Sequence, residues 1–415
     1  MNIESFKKVC VVGWGKSGVA LCDLLLSLKK EVKVSEIKER SVFPYGPVDK
    51  FCKKGVKFEF GGHSHNFIKD SHLVILSPGV DIARSPIKDF VHALGIPYVG
   101  EIEFSFWLTK ANCIAITGTN GKTTTSHLTY KVLKQRKKKV FLGGNIGTPF
   151  SSFVLDTKKG DIVVLEISSF QLETTIEFRP YVAALLNIEP NHLDRHFSFR
   201  DYFEAKMNIF KNQKKEDWAV INKDIHLKGD IQKRIKSQII YFSSELPNAN
   251  FSCVYRIASI FGLGKADCLK VFSEFKGIPH RLQFVREINN VTFINDSKST
   301  NPSSTIWAFQ NTKRPIILIA GGKDKGVDYS AIVPYLKKVK KVNLFGQAAE
   351  KIKKALEFHI ETELFASLKD VVFSSYQEAS AGDVVLFSPM CSSFDMFLNY
   401  EDRGDKFIKV VSSIK

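Results

Sequence analysis

Two glycine-rich turns, each set directly behind a run of apolar residues, constrain this chain more than anything else in it. The first is Gly13-Trp14-Gly15-Lys16-Ser17-Gly18, behind Val9–Val12. The second is Gly118-Thr119-Asn120-Gly121-Lys122-Thr123-Thr124, behind Ile114–Ile116. Helical spacing follows each, over Val19–Lys29 and Thr124–Gln135. In a strand–turn–helix, glycines permit a tight turn and let backbone N–H groups approach a diphosphate at the helix N-terminus. The first turn has the GxGxxG pattern, and Glu36 ends the next strand 18 residues after Gly18. Taken alone it fits a dinucleotide such as NAD(P), another diphosphate ligand, or a tight turn with no ligand. The second adds Gly-Lys-Thr, the mechanics of a P-loop. Lys122 reaches the β- and γ-phosphates, and the Thr123 hydroxyl can ligate Mg²⁺. Ile116 stands where Gly or Ala is usual.

A dehydrogenase has no need of a second phosphate loop. An NTPase has no need of the first unless its other substrate carries a diphosphate. The pair therefore favours an ATP-driven enzyme acting on a nucleotide-linked substrate, over an NAD-linked dehydrogenase or a nucleic-acid-stimulated NTPase.

Apolar runs alternate with amphipathic segments along all 415 residues. Val9–Val12, Val32–Val34 and Leu73–Leu76 read as buried strands, as do Ile114–Ile116, Ile162–Ile167 and Val182–Leu186. Ile316–Ile319, Val342–Phe345 and Val384–Phe387 repeat the pattern. This predicts an α/β chain of three domains with mostly parallel sheets. They are a Rossmann-like N-terminal domain (1–100), a central P-loop ATPase-like domain (101–279) and a C-terminal Rossmann-like α/β domain (280–415).

The formal charge of +17 raises the question of a polyanionic partner. It divides as +5, +8 and +4 over those three segments, with its densest runs at Arg136–Lys139, Lys211–Lys215 and Lys337–Lys341. A diffuse excess of this kind reads as solvated surface, so no nucleic acid is expected. Apolar content of 44% excludes intrinsic disorder. No apolar run approaches membrane-span length, and the opening residues lack a signal peptide's pattern, so no membrane insertion and a cytoplasmic location are expected. Seven scattered cysteines without CxxC suit a reducing compartment.

Glu166 ends a strand near the P-loop strand, well placed for Mg²⁺. His192 and Asp194 follow another buried strand, where open α/β sheets place ligands. His63, His65 and His226 read as ordinary structural histidines. Lys206, within the helical stretch Phe203–Phe210, reads as a surface lysine.

Eight segments in order then carry a family resemblance. They are Gly118–Thr124, Gly143-Gly144-Asn145-Ile146-Gly147, Glu166–Leu172, Asn191–His196, Gly277–Arg281, Asn295–Pro302, Gly321–Gly326 and Ser388–Asp395. The chain resembles the Mur ligases of peptidoglycan synthesis, the D-glutamate-adding MurD type above all. The Ser-Ser-Phe-Gln-Leu run and the N-terminal GxGxxG support that subtype. Another Mur-family enzyme or a folylpolyglutamate-type ligase is the alternative.

The resemblance implies ATP, two Mg²⁺ sites, UDP-N-acetylmuramoyl-L-alanine and D-glutamate as cofactors and substrates, and a monomer. Gly15, Lys16, Ser17, Gly18, Ser77, Pro78 and Gly79 would approach the uridine diphosphate, and Asn145 and Ser168 the muramoyl part. Gly118, Thr119, Asn120, Gly121, Lys122, Thr123 and Thr124 would hold ATP phosphates. Asn250, Arg281 and Asp296 would also contact ATP. Thr123, Glu166, His192 and Lys206 would hold metal, Lys206 as a CO₂-derived carbamate. Lys298, Thr300, Lys325, Ser393, Phe394 and Tyr400 would surround D-glutamate. Lys122, His192, Lys206 and Arg281 would be catalytic. Cys253 stands where some members have an adenine-contacting Asn, Tyr400 replaces a Phe, and Lys323 an Asp. Ser35-Glu36-Ile37 differs from the Asp-Thr-Arg of some relatives.

Overall fold

The structure, a computed structural model, describes residues 3–43, 45–135, 139–191, 195–275 and 277–414. It divides into two compact units, Met1–Glu189 with Arg200–Glu274, and Pro190–Phe199 with Phe275–Lys415.

The first unit carries two parallel sheets. Strands β1 (Lys8–Val12), β2 (Glu31–Glu36), β3 (Lys57–Phe60), β4 (Leu73–Leu76) and β5 (Tyr98–Gly100) are ordered β3-β2-β1-β4-β5. The chain order reverses between β1 and β4, which opens a crevice at their carboxyl ends. The second sheet contains β6 (Asn112–Thr117), β7 (Val140–Gly144), β8 (Ile162–Glu166), β9 (Val182–Leu185), β10 (Trp218–Asn222) and β11 (Gln238–Phe242). Their order is β11-β10-β9-β6-β8-β7, so β6 lies between β9 and β8. Strands such as Val-Val-Leu in β8 are buried on both faces, as parallel strands covered by helices must be. One apolar core runs through both sheets, from Val9 and Val34 to Leu165 and Ile221.

The second unit has one sheet of β12 (Gln283–Ile288), β13 (Val291–Asn295), β14 (Ile316–Gly321), β15 (Val339–Phe345), β16 (Thr362–Phe365) and β17 (Val384–Phe387). The order is β12-β13-β17-β14-β15-β16, antiparallel only between β12 and β13. Separate apolar clusters form around Leu318 and Leu386 and around Ile319 and Phe387, residues of alternate parity on neighbouring strands. Among the described residues no helix is long and apolar enough to cross a membrane.

The two sheets of the first unit are joined by the helix Glu101–Leu108, which starts where β5 ends. Its Glu103 is fully buried, yet its carboxylate accepts from Ile176 N (2.9 Å), Glu177 N (2.7 Å), Phe178 N (2.9 Å) and Trp107 Nε1 (2.7 Å). Four donors around one carboxylate offset its desolvation. Glu101, two residues earlier, accepts from Ser151 N at 2.7 Å, and burial raises its pKa against that bond. Before the helix, a side chain at Gly100 would overlap Thr174.

Replacing Glu103 with Ala strands those donors in a dry interior. The expected loss is about 3 kcal/mol or more, a fall of roughly 6–12 °C in the melting transition of the first unit. Calorimetry on Glu103→Ala checks this, and an unchanged transition would remove Glu103 from its structural role.

Candidate active site

The first glycine turn sits at the carboxyl end of β1, in the crevice beside β4. Gly13 has φ 93° and donates to Ser35 O at 2.9 Å. A Cβ at Gly18 would overlap the Gly13 carbonyl, so the turn requires glycine there. Ser77, after β4, donates from Oγ to Gly13 O at 2.9 Å, which binds the two crevice loops together. Gly15 caps the helix Lys16–Ser27, placing Lys16 and Ser17 in its first turn; Pro78 and Gly79 follow Ser77. Glu36 departs from a dinucleotide domain's ribose-binding acid. Its two carboxylate oxygens accept from Trp14 N (2.6 Å) and Lys38 N (2.9 Å), so it braces the turn itself.

The second turn follows β6 and opens the helix Lys122–Leu133. Gly121, at φ 80°, caps that helix, and a Cβ there would lie 2.5 Å from Asn250 Oδ1. The structure therefore brings the expected ATP residue Asn250 against the P-loop. Lys122 Nζ donates to Gly118 O and Thr119 O, both at 2.8 Å. Asn187, which sequence reasoning did not single out, holds the loop from β9's end. Its Oδ1 accepts from Asn120 N at 2.8 Å and its Nδ2 donates to Asn120 O at 3.1 Å. Thr119 Oγ1 accepts from Glu189 N at 2.9 Å and lies 3.1 Å from Tyr202 Oη. The Asn187-Ile188-Glu189 run after a buried strand was the available signal. Thr123 is buried and Thr124 follows it in the helix. Cys253 is wholly buried in the apolar cluster of Ile114, Ile116 and Phe242, so this departure belongs to the core.

Lys206 is 1% exposed, on the helix Phe199–Met207 that gives way to a 3₁₀ turn at Asn208–Phe210. The expectation of a surface lysine is thus wrong, because solvent exposure on one helix face is decided by tertiary packing. Its Nζ donates to Gly118 O at 3.0 Å and Thr117 Oγ1 at 3.3 Å, and lies 4.6 Å from the Tyr202 ring centre. Burial, then the positive charge of Lys122, push its pKa well below the ordinary lysine value, with Glu166 pulling the other way.

Glu166 closes β8, 2% exposed. Its Oε1 accepts from Asn145 Nδ2 at 2.9 Å, and its buried Oε2 has no hydrogen-bond partner among the described residues. Asn145 thereby orients Glu166. Ser168 caps the short helix Ser169–Leu172 in a reciprocal bond with Gln171. His192 and Asp194 lie outside the described residues. Among those described, no three His, Cys, Asp or Glu side chains converge as a metal cluster.

The remaining expected residues belong to the second unit. Asp296, just past β13, is buried and accepts from Leu282 N (3.1 Å), Ser299 Oγ (2.6 Å) and Ser388 Oγ (3.0 Å). Burial raises its pKa against these bonds and against Arg281, whose Nη1 is 3.7 Å away. Lys298 Nζ donates to Tyr400 Oη at 2.9 Å and lies 4.4 Å from that ring's centre. Thr300 follows in the same loop, half-buried. Lys325 lies in the loop after β14; Ser393 is buried after β17 while its neighbour Phe394 is 67% exposed. Lys323 pairs its backbone with Ser392 in both directions.

Sequence reasoning missed Arg403. Fully buried, it donates from Nε to Ser297 Oγ (3.0 Å), from Nη2 to Ser297 O (2.7 Å), and from Nη1 to the carbonyls of Cys391 and Ser392 (both 3.1 Å). Burial lowers its pKa to about 10. It ties the loop bearing Lys298 to the loop bearing Ser393. Its sequence neighbourhood, Glu401-Asp402-Arg403-Gly404-Asp405-Lys406, reads as exposed helix, which hides it.

Family descriptions match in three consecutive stretches: a MurD-like Mur ligase N-terminal domain at 7–100, the Mur ligase middle domain at 116–266 and the Mur ligase glutamate ligase domain at 280–391. The chain is 38% identical over 450 residues to the UDP-N-acetylmuramoylalanine–D-glutamate ligase of Thermoanaerobacter pseudethanolicus, covering 99% of each. It is 37% identical over 446 residues to the enzyme of that name from Caldanaerobacter subterraneus, again covering 99% of each. Among solved structures, the MurC ligase of Thermotoga maritima shares the fold with a TM-score of 0.62 at 19% identity, over 98% of this chain and 100% of that one. Escherichia coli FolC shares it at 0.59 and 15%, over 75% and 92%. With a glycine turn at the carboxyl end of the first strand of each of its first two sheets and this full-length likeness in one polypeptide, the chain belongs to the Mur ligase family, in its MurD branch.

Proposed function

We propose that this protein joins D-glutamate to UDP-N-acetylmuramoyl-L-alanine at the expense of ATP, in the cytoplasmic assembly of the peptidoglycan precursor. The observation that carries the reading is the likeness over 99% of both chains to ligases of that name. The two phosphate-binding turns supply its chemical sense. Residues 1–100 take the uridine diphosphate at Gly15–Gly18 and Ser77–Gly79. Residues 101–279 take ATP, and residues 280–415 take D-glutamate at Lys298, Thr300, Lys325, Ser393, Phe394 and Tyr400.

In this reading the alanyl carboxylate attacks the γ-phosphorus of ATP, and ADP leaves. The D-glutamate nitrogen then attacks the acyl phosphate carbon, phosphate departs, and the amine loses a proton as the amide forms. Carboxylate and triphosphate repel, so cations must offset charge in the transition state. Lys122 and Arg281 serve that purpose, and no protein nucleophile is needed. Bound Mg²⁺, in two sites, would add charge neutralisation and hold the phosphate oxygens in place. The residues fit such an ion: the Thr123 hydroxyl lies one residue past the P-loop lysine, and Glu166 offers a buried carboxylate oxygen with no hydrogen-bond partner among the described residues. His192 is assigned to the second site by resemblance alone.

Lys206 fits carbamylation. Only a neutral amine attacks CO₂, and burial beside Lys122 favours the neutral amine. The product is an anion next to Lys122, in place of two like charges.

Phosphate release from ATP with UDP-N-acetylmuramoyl-L-alanine should require D-glutamate, with L-glutamate, meso-diaminopimelate and L-lysine inactive in its place. Release indifferent to D-glutamate would overturn the subtype. Lys206→Ala should lose about 100-fold or more in kcat, while Lys206→Glu, which restores an anion, keeps part of it. Intact-mass measurement in bicarbonate should show one added CO₂ on the wild type and none on Lys206→Ala. Full turnover by the alanine variant would remove the carbamate.

A further inference from the structure

Behind β3 lies a cluster that phosphate binding does not use. Ser35, fully buried near the end of β2, stands in register with Val12 of β1 and with Glu59 of β3. Its carbonyl accepts from Gly13 N at 2.9 Å, so the same residue places the first glycine turn. Its hydroxyl oxygen lies 2.9 Å from Glu59 Oε2 and 2.8 Å from His63 Nδ1. Glu59 also accepts from Ser64 N at 3.0 Å and from Ser64 Oγ.

The Ser35 hydroxyl has one proton, and a carboxylate has none to give. At 2.9 Å from Glu59 that proton must point to the carboxylate. The Ser35 oxygen is then an acceptor, so His63 Nδ1 carries the ring N–H and Nε2 keeps a bare lone pair. Burial holds the imidazole below its ordinary pKa, against the pull of Glu36 and Glu59, so the ring is neutral at pH 7. His63 is partly exposed. It therefore presents an acceptor, and not a cation, at the carboxyl ends of β2 and β3.

In a sheet ordered β3-β2-β1-β4-β5, a nucleotide with its diphosphate on the turn after β1 extends its nucleoside toward the end of β2. We propose that His63 Nε2 reads the nucleobase by accepting the imide N–H of uracil, with Ser35 and Glu59 setting the tautomer that makes it an acceptor. Cytosine offers a lone pair at that ring position and would face acceptor with acceptor. The proposal rests on the reading of the crevice as a uridine diphosphate site.

Calorimetric titration of the full chain with UDP and with CDP tests it. The wild type should prefer UDP by about tenfold or more, the worth of one hydrogen bond and its mismatch. His63→Ala should bring the two within about threefold, by weakening UDP. His63→Gln, whose side-chain carbonyl is again an acceptor, should keep part of the preference. A preference undiminished in His63→Ala overturns the assignment of His63. A wild type that binds neither nucleotide overturns the crevice reading and the proposal with it. If the alanine variant does not fold, the wild type is titrated with N3-methyl-UDP. Loss of about tenfold supports the proposal, and affinity equal to that for UDP overturns it.

Discussion

A single main-chain carbonyl, that of Gly118, accepts hydrogen bonds from two lysines, Lys122 at 2.8 Å and Lys206 at 3.0 Å. Two ammonium groups on one oxygen in a buried place repel each other strongly. The conflict is resolved by position. Lys122 reaches back to the loop from its helix start, whereas Lys206 is sealed behind the loop and is driven toward the neutral amine. Of the two lysines on this carbonyl, Lys206 is thus the one pushed toward the neutral amine. Position 118 requires glycine because a Cβ would press on Leu186, and Asn187 clamps the loop two residues on, at Asn120.

Main-chain groups also meet three other buried charges in this fold. Glu103 is met by three backbone N–H groups and an indole, Glu36 by two backbone N–H groups, and Arg403 by three carbonyls and a hydroxyl. These main-chain dipoles lie in loops held in place by the backbone, so they need little reorganisation. Parallel sheets supply them in quantity, because every strand ends in a loop on the same edge. In each sheet those loops follow neighbouring strands: β1 with β4, β6 with β8 and β9, β13 with β17 and β14. Residues far apart in sequence therefore converge without long side chains.

What could be read in advance follows from how local each signal is. Both glycine turns were legible because their geometry demands glycine at fixed spacing, as the overlaps at Gly18 and Gly121 show. The strands buried on both faces were legible as apolar runs, whereas β3 and β16, half-exposed and carrying Lys57 or Glu363, were not. Glu36 was legible as a strand-end acid but its role was not, since nothing local reveals that backbone N–H groups already occupy it. Lys206 gave no local sign of burial; only the family pattern singled it out. Arg403 and Asn187 make all their named bonds to residues at least eleven positions away, a relation that spacing does not encode.

The charge of +17 takes on a different meaning in that light. Near the sites, Lys122, Lys206 and Arg403 donate to neutral oxygens, whereas Arg281 faces the Asp296 carboxylate. Arg403 has no carboxylate among its hydrogen-bond partners, and its burial lowers its pKa only to about 10, so it remains a cation at neutral pH. A lysine could match its charge, but not the planar fork that reaches Ser297 on one side and Cys391 and Ser392 on the other. Arg403 follows Tyr400 by three residues on one helix, so the residue facing Lys298 and the residue fixing its loop move as one body. The loops bearing Lys298 and Ser393 are thereby pinned through a single guanidinium. A basic residue that composition counts as surface charge acts in the fold as a hydrogen-bond hub.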